Sequence, residues 1–120
     1  MFYNEKILKL FRHPQHAGEF PLDTAQVKTA RSGNPGQTDV VQLQLQIINN
    51  KIAAAKFKAS GSVCTIASAE YLLQSIINKS ITDCLSYNSS EIITALRLPD
   101  HRASSALLVI DCLQRVLKNE

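Results

Sequence analysis

The chain has 120 residues, of which 45% are hydrophobic and 19% charged, and its formal net charge at pH 7 is +3. This length and balance predict a single domain over residues 1–120 and exclude wholesale disorder. Three cysteines, an odd number at wide spacing, argue against a disulfide framework, and no apolar run approaches the ~20 residues of a membrane span. We therefore expect a cytoplasmic protein that does not bind a membrane.

The positive charge is concentrated in the first half of the chain but is scattered along it. Residues 1–60 contain eight lysines and arginines against four acidic residues, whereas residues 61–120 contain five against six. A nucleic-acid-binding protein usually has a denser basic stripe with interleaved aromatic side chains. The pattern favours a solvated surface, and we expect no nucleic acid among the partners.

The chain begins with a predicted helix. Ile7 and Phe11 have helical spacing, and Asn4 can cap the first turn. Pro14 ends the helix, because proline lacks a backbone donor and disfavours helical geometry at the residue before it. Residues 15–39 then form a long connection rich in turn residues, of a kind that is usually functional or mobile.

A three-stranded antiparallel sheet is predicted next. Residues 41–47 alternate valine, leucine and isoleucine with glutamine, so one face of this strand is apolar and the other polar. The pair Asn49-Asn50 predicts a tight turn, and residues 51–60 return as a second strand. A short third strand near residues 27–31 extends this hairpin. On the returning strand, the residues predicted to share one face are Ala53, Ala55 and Phe57.

The second half of the chain has helical periodicity. An apolar stripe from residue 66 to 77 predicts one helix, and capping patterns that begin at Ser80 and Asn88 predict two short ones. A last helix follows Leu98-Pro99. Its expected buried face consists of Ala103, Ala106, Leu107, Ile110, Leu113 and Leu117. Strands followed by helices predict an α+β fold, with about five helices packed on one side of the sheet.

Cys64 is the candidate for a reactive thiol. The sequence has no nucleotide-binding loop, zinc-protease motif, paired Cys-x-x-Cys or supported catalytic triad, so no enzyme class is predicted. Cys64 follows Gly61 in the first turn of a predicted helix, where free backbone N–H groups and the helix dipole would stabilise a thiolate. The alternative is a small buried residue at the helix start. Cys84 and Cys112 lie within helical patterns and are expected to pack in the core.

Four segments resemble the U-type iron–sulfur cluster assembly scaffolds, the IscU and NifU N-terminal family, in the same order and at similar spacing. FRHPQHAGEF (residues 11–20) is similar to the amino-terminal stretch of the family, and GNPGQTD (residues 33–39) to its first ligand loop. FKASGSVCTIAS (residues 57–68) resembles its second ligand loop, and LPDHRASSALL (residues 98–108) its third. The resemblance covers nearly the whole chain and implies the fold of that family.

In the family, three cysteines and an aspartate hold a nascent cluster. By the resemblance, the cysteine positions fall on Gln37, Ser62 and Ser105, and the aspartate is kept as Asp39. A histidine that often precedes the last cysteine falls on Ser104. The resemblance implies iron or an iron–sulfur cluster as cofactor, with zinc as a further candidate metal. Hydroxyl and amide groups are poor substitutes for thiolates, so we expect a degenerate site without a full cluster.

Two hypotheses for function remain open. In the first, the chain is a scaffold-like protein that binds a single metal through Asp39 and Cys64, or carries persulfide sulfur on Cys64, which lies two positions from the expected cysteine. His16 and His101 are further candidates for nitrogen ligands. In the second, the chain is a non-catalytic interaction module that docks on a cysteine desulfurase or on an intact scaffold.

The partner implied by the resemblance is a cysteine desulfurase, which supplies sulfur in the family. A chaperone is a further candidate partner. The chaperone-recognition stretch of the family corresponds to residues 98–102, where only Leu98 and Pro99 match it. Since a scaffold turns over no substrate of its own, we expect a protein without enzymatic activity.

Overall fold

The computed structural model describes residues 3–33 and 38–118 of the chain. In chain order its elements are helix α1 (Glu5–Arg12), strands β1 (Val27–Ser32), β2 (Val40–Ile48) and β3 (Lys51–Ser60), and helices α2 (Val63–Ile76), α3 (Ile81–Leu85), α4 (Ser89–Leu96) and α5 (Ala103–Lys118). A single turn of 3-10 helix at Asp100–Arg102 joins α4 to α5. This order confirms the predicted α+β fold.

The three strands form one antiparallel sheet in the order β1-β2-β3. The turn between β2 and β3 consists of Asn49 and Asn50, whose φ angles are 52° and 65°. Positive φ at both central residues matches the twist of the flanking strands, and asparagine tolerates this geometry better than most residues. The alternation of β2 and the asparagine pair therefore predicted the hairpin correctly.

The helices cover one face of the sheet. Val41, Leu43 and Leu45 of β2 are completely buried on that face, where α5 packs against β1 and β2 and α2 packs against β3. The glutamines between them point to the opposite face, as the period of two in a strand requires. Burial of this apolar face against two helices supplies the main driving force for the fold.

The predicted inner face of β3 is wrong at one residue. Ala53 is exposed, whereas Ile52 is completely buried, along with Ala55 and Phe57 further along the strand. The cause is a register shift, because Gln46 pairs with Ala54 but the next residue of β2 pairs with Ile52. Ala53 is the extra residue of a β-bulge, and a bulge exchanges the two faces of a strand.

The predicted buried face of α5 is only partly right: Ala106 and Leu113 are buried, whereas Ala103, Ile110 and Leu117 are partly buried. Leu107 is 56% exposed, while Ala106, Val109 and Val116 are completely buried. Other buried residues of the helix are Ser105, Cys112 and Leu113. Apolar residues extend around more than half of α5, so spacing alone did not locate the centre of the packed face.

The helix termini follow the predicted capping residues. The Asn4 side chain accepts a hydrogen bond from the Ile7 backbone N–H at 2.9 Å and donates one to the Leu96 carbonyl at 2.7 Å, which joins α1 to the end of α4. Ser80 caps α3 in the same way, through the Asp83 backbone N–H at 3.1 Å. None of the helices within residues 3–33 and 38–118 has the length and apolar character needed to cross a membrane.

Candidate functional site

Three segments that are distant in sequence meet at one end of the sheet. They are residues 38–39 before β2, the junction of β3 with α2 at residues 60–65, and the start of α5. A cavity of about 460 Å³ opens there, lined by Thr38, Asp39, Ser104 and Leu108. These are the segments that the resemblance identifies as ligand loops, so the fold brings the expected site together.

Asp39 lies at the amino end of α2. One carboxylate oxygen accepts a hydrogen bond from the Ser62 backbone N–H at 2.9 Å, and the other accepts one from the Thr65 hydroxyl at 3.0 Å. The first N–H groups of a helix have no partner within the helix, and the helix dipole favours negative charge at this end. Asp39 therefore acts as a cap that is supplied from another part of the chain.

Gly61 makes room for this carboxylate. Its φ is +128°, and a Cβ atom at this position would lie 1.9 Å from Oδ1 of Asp39. Any other residue at position 61 would displace the aspartate and would also strain the backbone. Gly61 thus fixes how closely the end of β3 approaches the start of β2.

Hydroxyl groups extend the network from Asp39 to α5. The Thr65 hydroxyl lies 3.0 Å from the Ser105 hydroxyl and 3.1 Å from that of Ser62. The Ser62 and Ser105 oxygens are 3.4 Å apart. Thr65 is completely buried and Ser105 is 1% exposed, so these hydroxyls bind one another rather than solvent. We call Asp39, Ser62, Thr65 and Ser105 the hydroxyl network.

Cys64 does not have the environment of a reactive thiol. It is completely buried, and burial raises the pKa of its thiol, an effect that the charge of Arg102 offsets in part and that of Asp39 increases. Burial therefore favours the alternative expectation, a small buried residue at the helix start. The residues that line the cavity beside Asp39 do not include Cys64.

The other two thiols are core residues, as predicted. Cys84 is 1% exposed and Cys112 is completely buried. Burial raises the pKa of Cys112 to about 11, and its Sγ lies 3.4 Å from the Ala30 carbonyl oxygen and 3.6 Å from that of Val41. All three cysteines are unpaired, so the prediction that there is no disulfide framework holds.

His16 has a structural partner. Its Nδ1 lies 2.6 Å from one carboxylate oxygen of Glu70, and its backbone N–H donates to the other at 2.8 Å. Glu70 is completely buried and also accepts a hydrogen bond from Gln74 at 2.9 Å. Sequence reasoning missed this buried carboxylate, although Glu70 is the only charged residue in α2, which marked it as unusual.

The donor set at the cavity does not fit an iron–sulfur cluster. The hydroxyl network contributes one carboxylate and three hydroxyl groups, and clusters are held mainly by thiolates. In the described part of the chain, no three His, Cys, Asp or Glu side chains are grouped so that they could hold a metal ion. Gln37, which corresponds to a family cysteine, lies outside the described residues.

The structure brings together Asp39, Ser62, Ser104 and Ser105, the described positions that the resemblance identified. Thr65 was missed, although a serine and a threonine three residues apart at a helix start are typical of capping. The predicted metal ligands Asp39 and Cys64 both lie at the amino end of α2. Their use as a metal site stays a prediction.

Comparisons with known proteins agree with the fold. A solved structure of a putative iron–sulfur cluster assembly scaffold protein for the SUF system, from Fervidobacterium islandicum, matches with a TM-score of 0.80 at 21% identity, over 97% of this chain and 96% of that one. A NifU-like amino-terminal domain from Brucella abortus matches with a TM-score of 0.64 at 14% identity, over 98% and 95% of the two chains. At these identities the matches show the fold.

Sequence relatives show the family. The iron–sulfur cluster assembly protein IscU of Plasmodium falciparum is 31% identical over 117 residues, which cover 98% of this chain and 72% of that protein. The iron–sulfur cluster assembly scaffold protein IscU of Haemophilus influenzae is 29% identical over 118 residues, 98% of this chain and 94% of that one. The family described as NifU-like N terminal domain matches residues 2–119. The chain belongs to the NifU-like N terminal domain family.

Proposed function

We propose that this chain is a scaffold-like protein of iron–sulfur cluster assembly that acts by docking on a partner protein and does not itself hold a complete cluster. Relatives named as iron–sulfur cluster assembly proteins support a role of the chain in this process. The hydroxyl network supports the mode of action, because it places hydroxyl groups where a cluster would need thiolates. We propose no catalytic activity for the chain, and the cytoplasm stays our prediction for its location.

The partner we propose is a cysteine desulfurase or an intact scaffold of the same family. Asp39 accepts hydrogen bonds from Ser62 and Thr65, and the Thr65 hydroxyl also lies 3.0 Å from that of Ser105, so the three segments of the site are held in one arrangement. A surface held in one arrangement loses less conformational entropy when it binds a partner. The chain would thus present the shape of a scaffold while lacking its ligands.

The docking proposal is tested by size-exclusion chromatography of the chain with a cysteine desulfurase, followed by an assay of sulfide release. We expect a complex that forms equally well with the wild-type chain and with Cys64→Ser. Loss of the complex in Cys64→Ser would contradict docking through shape alone and would favour sulfur transfer to that thiol. Absence of any complex, with a desulfurase and with an intact scaffold alike, would contradict the proposal.

A single metal held by Asp39 and Cys64 is the second candidate function. The position of both residues at the amino end of α2 supports it. Burial and the charge of Asp39 raise the pKa of the Cys64 thiol, and only a deprotonated thiol is a good ligand. Anaerobic titration with ferrous iron, followed by absorbance, separates the candidates, since only a Cys64 ligand gives a spectral change that Cys64→Ser removes.

A further inference from the structure

The outer face of the sheet, opposite the helices, has polar side chains in rows that cross all three strands. Arg31 of β1 is paired with Gln42 of β2, which is paired with Lys58 of β3. Paired residues of adjacent strands point to the same face. The side chains of Arg31, Gln42 and Lys58 therefore form one row, which we call the basic row.

Two other glutamines of this face bind the backbone of a segment of the chain itself, which turns between Pro21 and Thr24. Gln44 accepts a hydrogen bond from the Phe20 backbone N–H at 2.9 Å, and Gln46 donates one to the Ala25 carbonyl at 3.2 Å. The segment of residues 20–25 is thus held across the sheet by side-chain amides that bind its backbone. Gln42 belongs to the same series but has no hydrogen-bond partner within the described residues.

The basic row borders a concave surface whose lining residues include no acidic side chain. A cavity of about 220 Å³ lies over it, lined by Arg31, Val40, Gln42, Lys58, Ala59 and Ser60. Arg31 forms no ion pair with any residue of the described ranges. Lys58 is paired with Glu19 at 2.9 Å, but both side chains are more than half exposed, and such surface pairs contribute little to stability. Both cations are therefore available to an anionic partner.

We propose that the basic row binds an extended, acidic segment of a partner protein. The Gln42 amide would bind the backbone of this segment, as Gln44 and Gln46 bind residues 20–25. Arg31 and Lys58 lie two strands apart, about 10 Å between backbones, so they would flank the segment and bind its carboxylates. The amide between the cations favours a peptide over a free anion, because a free anion offers no backbone to bind.

This surface is separate from the hydroxyl network and needs neither a metal nor a cluster. The test uses the full chain and a fluorescein-labelled hexaglutamate peptide, with binding followed by fluorescence anisotropy. We expect binding that weakens steeply with added salt and that falls about fivefold or more in Arg31→Gln and in Gln42→Ala. The matching hexaglutamine peptide should bind more weakly than hexaglutamate.

Two further variants make the test specific. Glu19→Gln removes the acidic partner of Lys58, so it should strengthen binding, an effect that general loss of structure would not produce. Lys79→Gln changes the net charge as Arg31→Gln does, but Lys79 lies between α2 and α3, away from the outer face of the sheet. It should leave the affinity unchanged.

Three results would overturn the proposal. Equal weakening by Lys79→Gln and Arg31→Gln would show that net charge alone attracts the peptide. Displacement of hexaglutamate by an equal concentration of inorganic phosphate would identify a pocket for small anions instead of a peptide site. Absence of hexaglutamate binding at low salt would also overturn it. The anisotropy measurement involves neither iron nor a desulfurase. A negative result would therefore overturn the peptide-binding proposal without contradicting the proposed function.

Discussion

The carboxylate of Asp39 and the hydroxyl of Thr65 are joined by a hydrogen bond of 3.0 Å across 26 positions of sequence. This bond connects the segment before β2 to the first turn of α2, and Ser105 connects both to α5. The three segments of the expected ligand site are thus held together by oxygen atoms of the chain.

Removal of the Thr65 hydroxyl should destabilise the fold. Thr65→Val keeps the shape of the side chain but leaves one oxygen of Asp39 and the buried Ser105 hydroxyl without this partner. A buried polar group without a partner costs about 1–3 kcal/mol, so we expect a loss of that size in the free energy of unfolding. Urea denaturation followed by circular dichroism measures it.

The matched control is Thr94→Val. Thr94 is exposed on α4, so the same chemical change should alter the free energy of unfolding by no more than about 0.5 kcal/mol. Equal losses in the two variants would mean that a general effect of replacing threonine by valine in a helix, and not the loss of the network, lowers the stability.

Substitution of Gly61 should be more harmful than the same substitution at Gly18. Their φ angles are +128° and +130°, so alanine strains the backbone at both, at a cost on the order of 1–3 kcal/mol. A Cβ at Gly18 has no atom within 4 Å, whereas at Gly61 it would lie 1.9 Å from Asp39. We expect Gly61→Ala to lower the midpoint of thermal unfolding clearly further than Gly18→Ala.

The double variant Gly61→Ala with Asp39→Ala isolates the contact itself. Without the aspartate side chain the conflict with its carboxylate disappears, and the contact of 2.9 Å with the Cα of residue 39, the backbone strain and the lost cap remain. The effects of the two single substitutions should therefore not add in a double-mutant cycle. Simple additivity would contradict the close contact between Gly61 and Asp39.

The three cysteines should resist alkylation in the native protein. Burial raises the pKa values of Cys64, Cys84 and Cys112, so at pH 8 each has a smaller thiolate fraction than a free cysteine. We expect mass spectrometry to detect no rapid modification by iodoacetamide under native conditions and three modifications in guanidinium. Fast, selective labelling of Cys64 would instead support its role as a sulfur carrier or metal ligand.

Asp111 should make stability depend on pH in the acidic range. The hydrogen bond from the Ser32 hydroxyl, at 2.6 Å, and that from Arg115, at 2.8 Å, hold the pKa of Asp111 below its usual range, against the effect of partial burial. A carboxyl with a lowered pKa stabilises the fold above its unfolded pKa of about 3.9, and this contribution disappears as the pH falls through the folded value.

Asp111→Asn measures this contribution. Wild type should be more stable than the variant at neutral pH, and the difference should shrink as the pH falls below about 4. The effect should be small, because the Asp111 side chain is 52% exposed. A difference that grows towards acidic pH would contradict the lowered pKa.

Much of the fold could be predicted because its signals are local. The alternation of β2 and the pair Asn49-Asn50 determine the hairpin within a few residues of sequence. The errors arose where local pattern does not decide the outcome. The bulge at Ala53 depends on pairing with β2, and the buried face of α5 depends on which of its many apolar residues reach the sheet.

The site was predictable in its position but not in its contacts. The resemblance placed Asp39, Ser62 and Ser105 in ligand loops, and the fold brings them together. The hydrogen bonds among them depend on distances between three separate segments, which no spacing in the sequence encodes. Cys64 could not be predicted for the same reason. Its position at a helix start suggested a thiol of low pKa, but burial raises the pKa, and burial depends on the tertiary structure.

The most direct measurement is the iron and sulfide content of the chain after anaerobic reconstitution and desalting, together with its visible absorption spectrum. We predict that the wild-type chain retains no cluster, whereas a triple variant with Gln37→Cys, Ser62→Cys and Ser105→Cys gains one, because thiolates then occupy the ligand positions. A cluster in the wild-type chain at the level of the triple variant would contradict our proposal that the hydroxyl network replaces the cluster site.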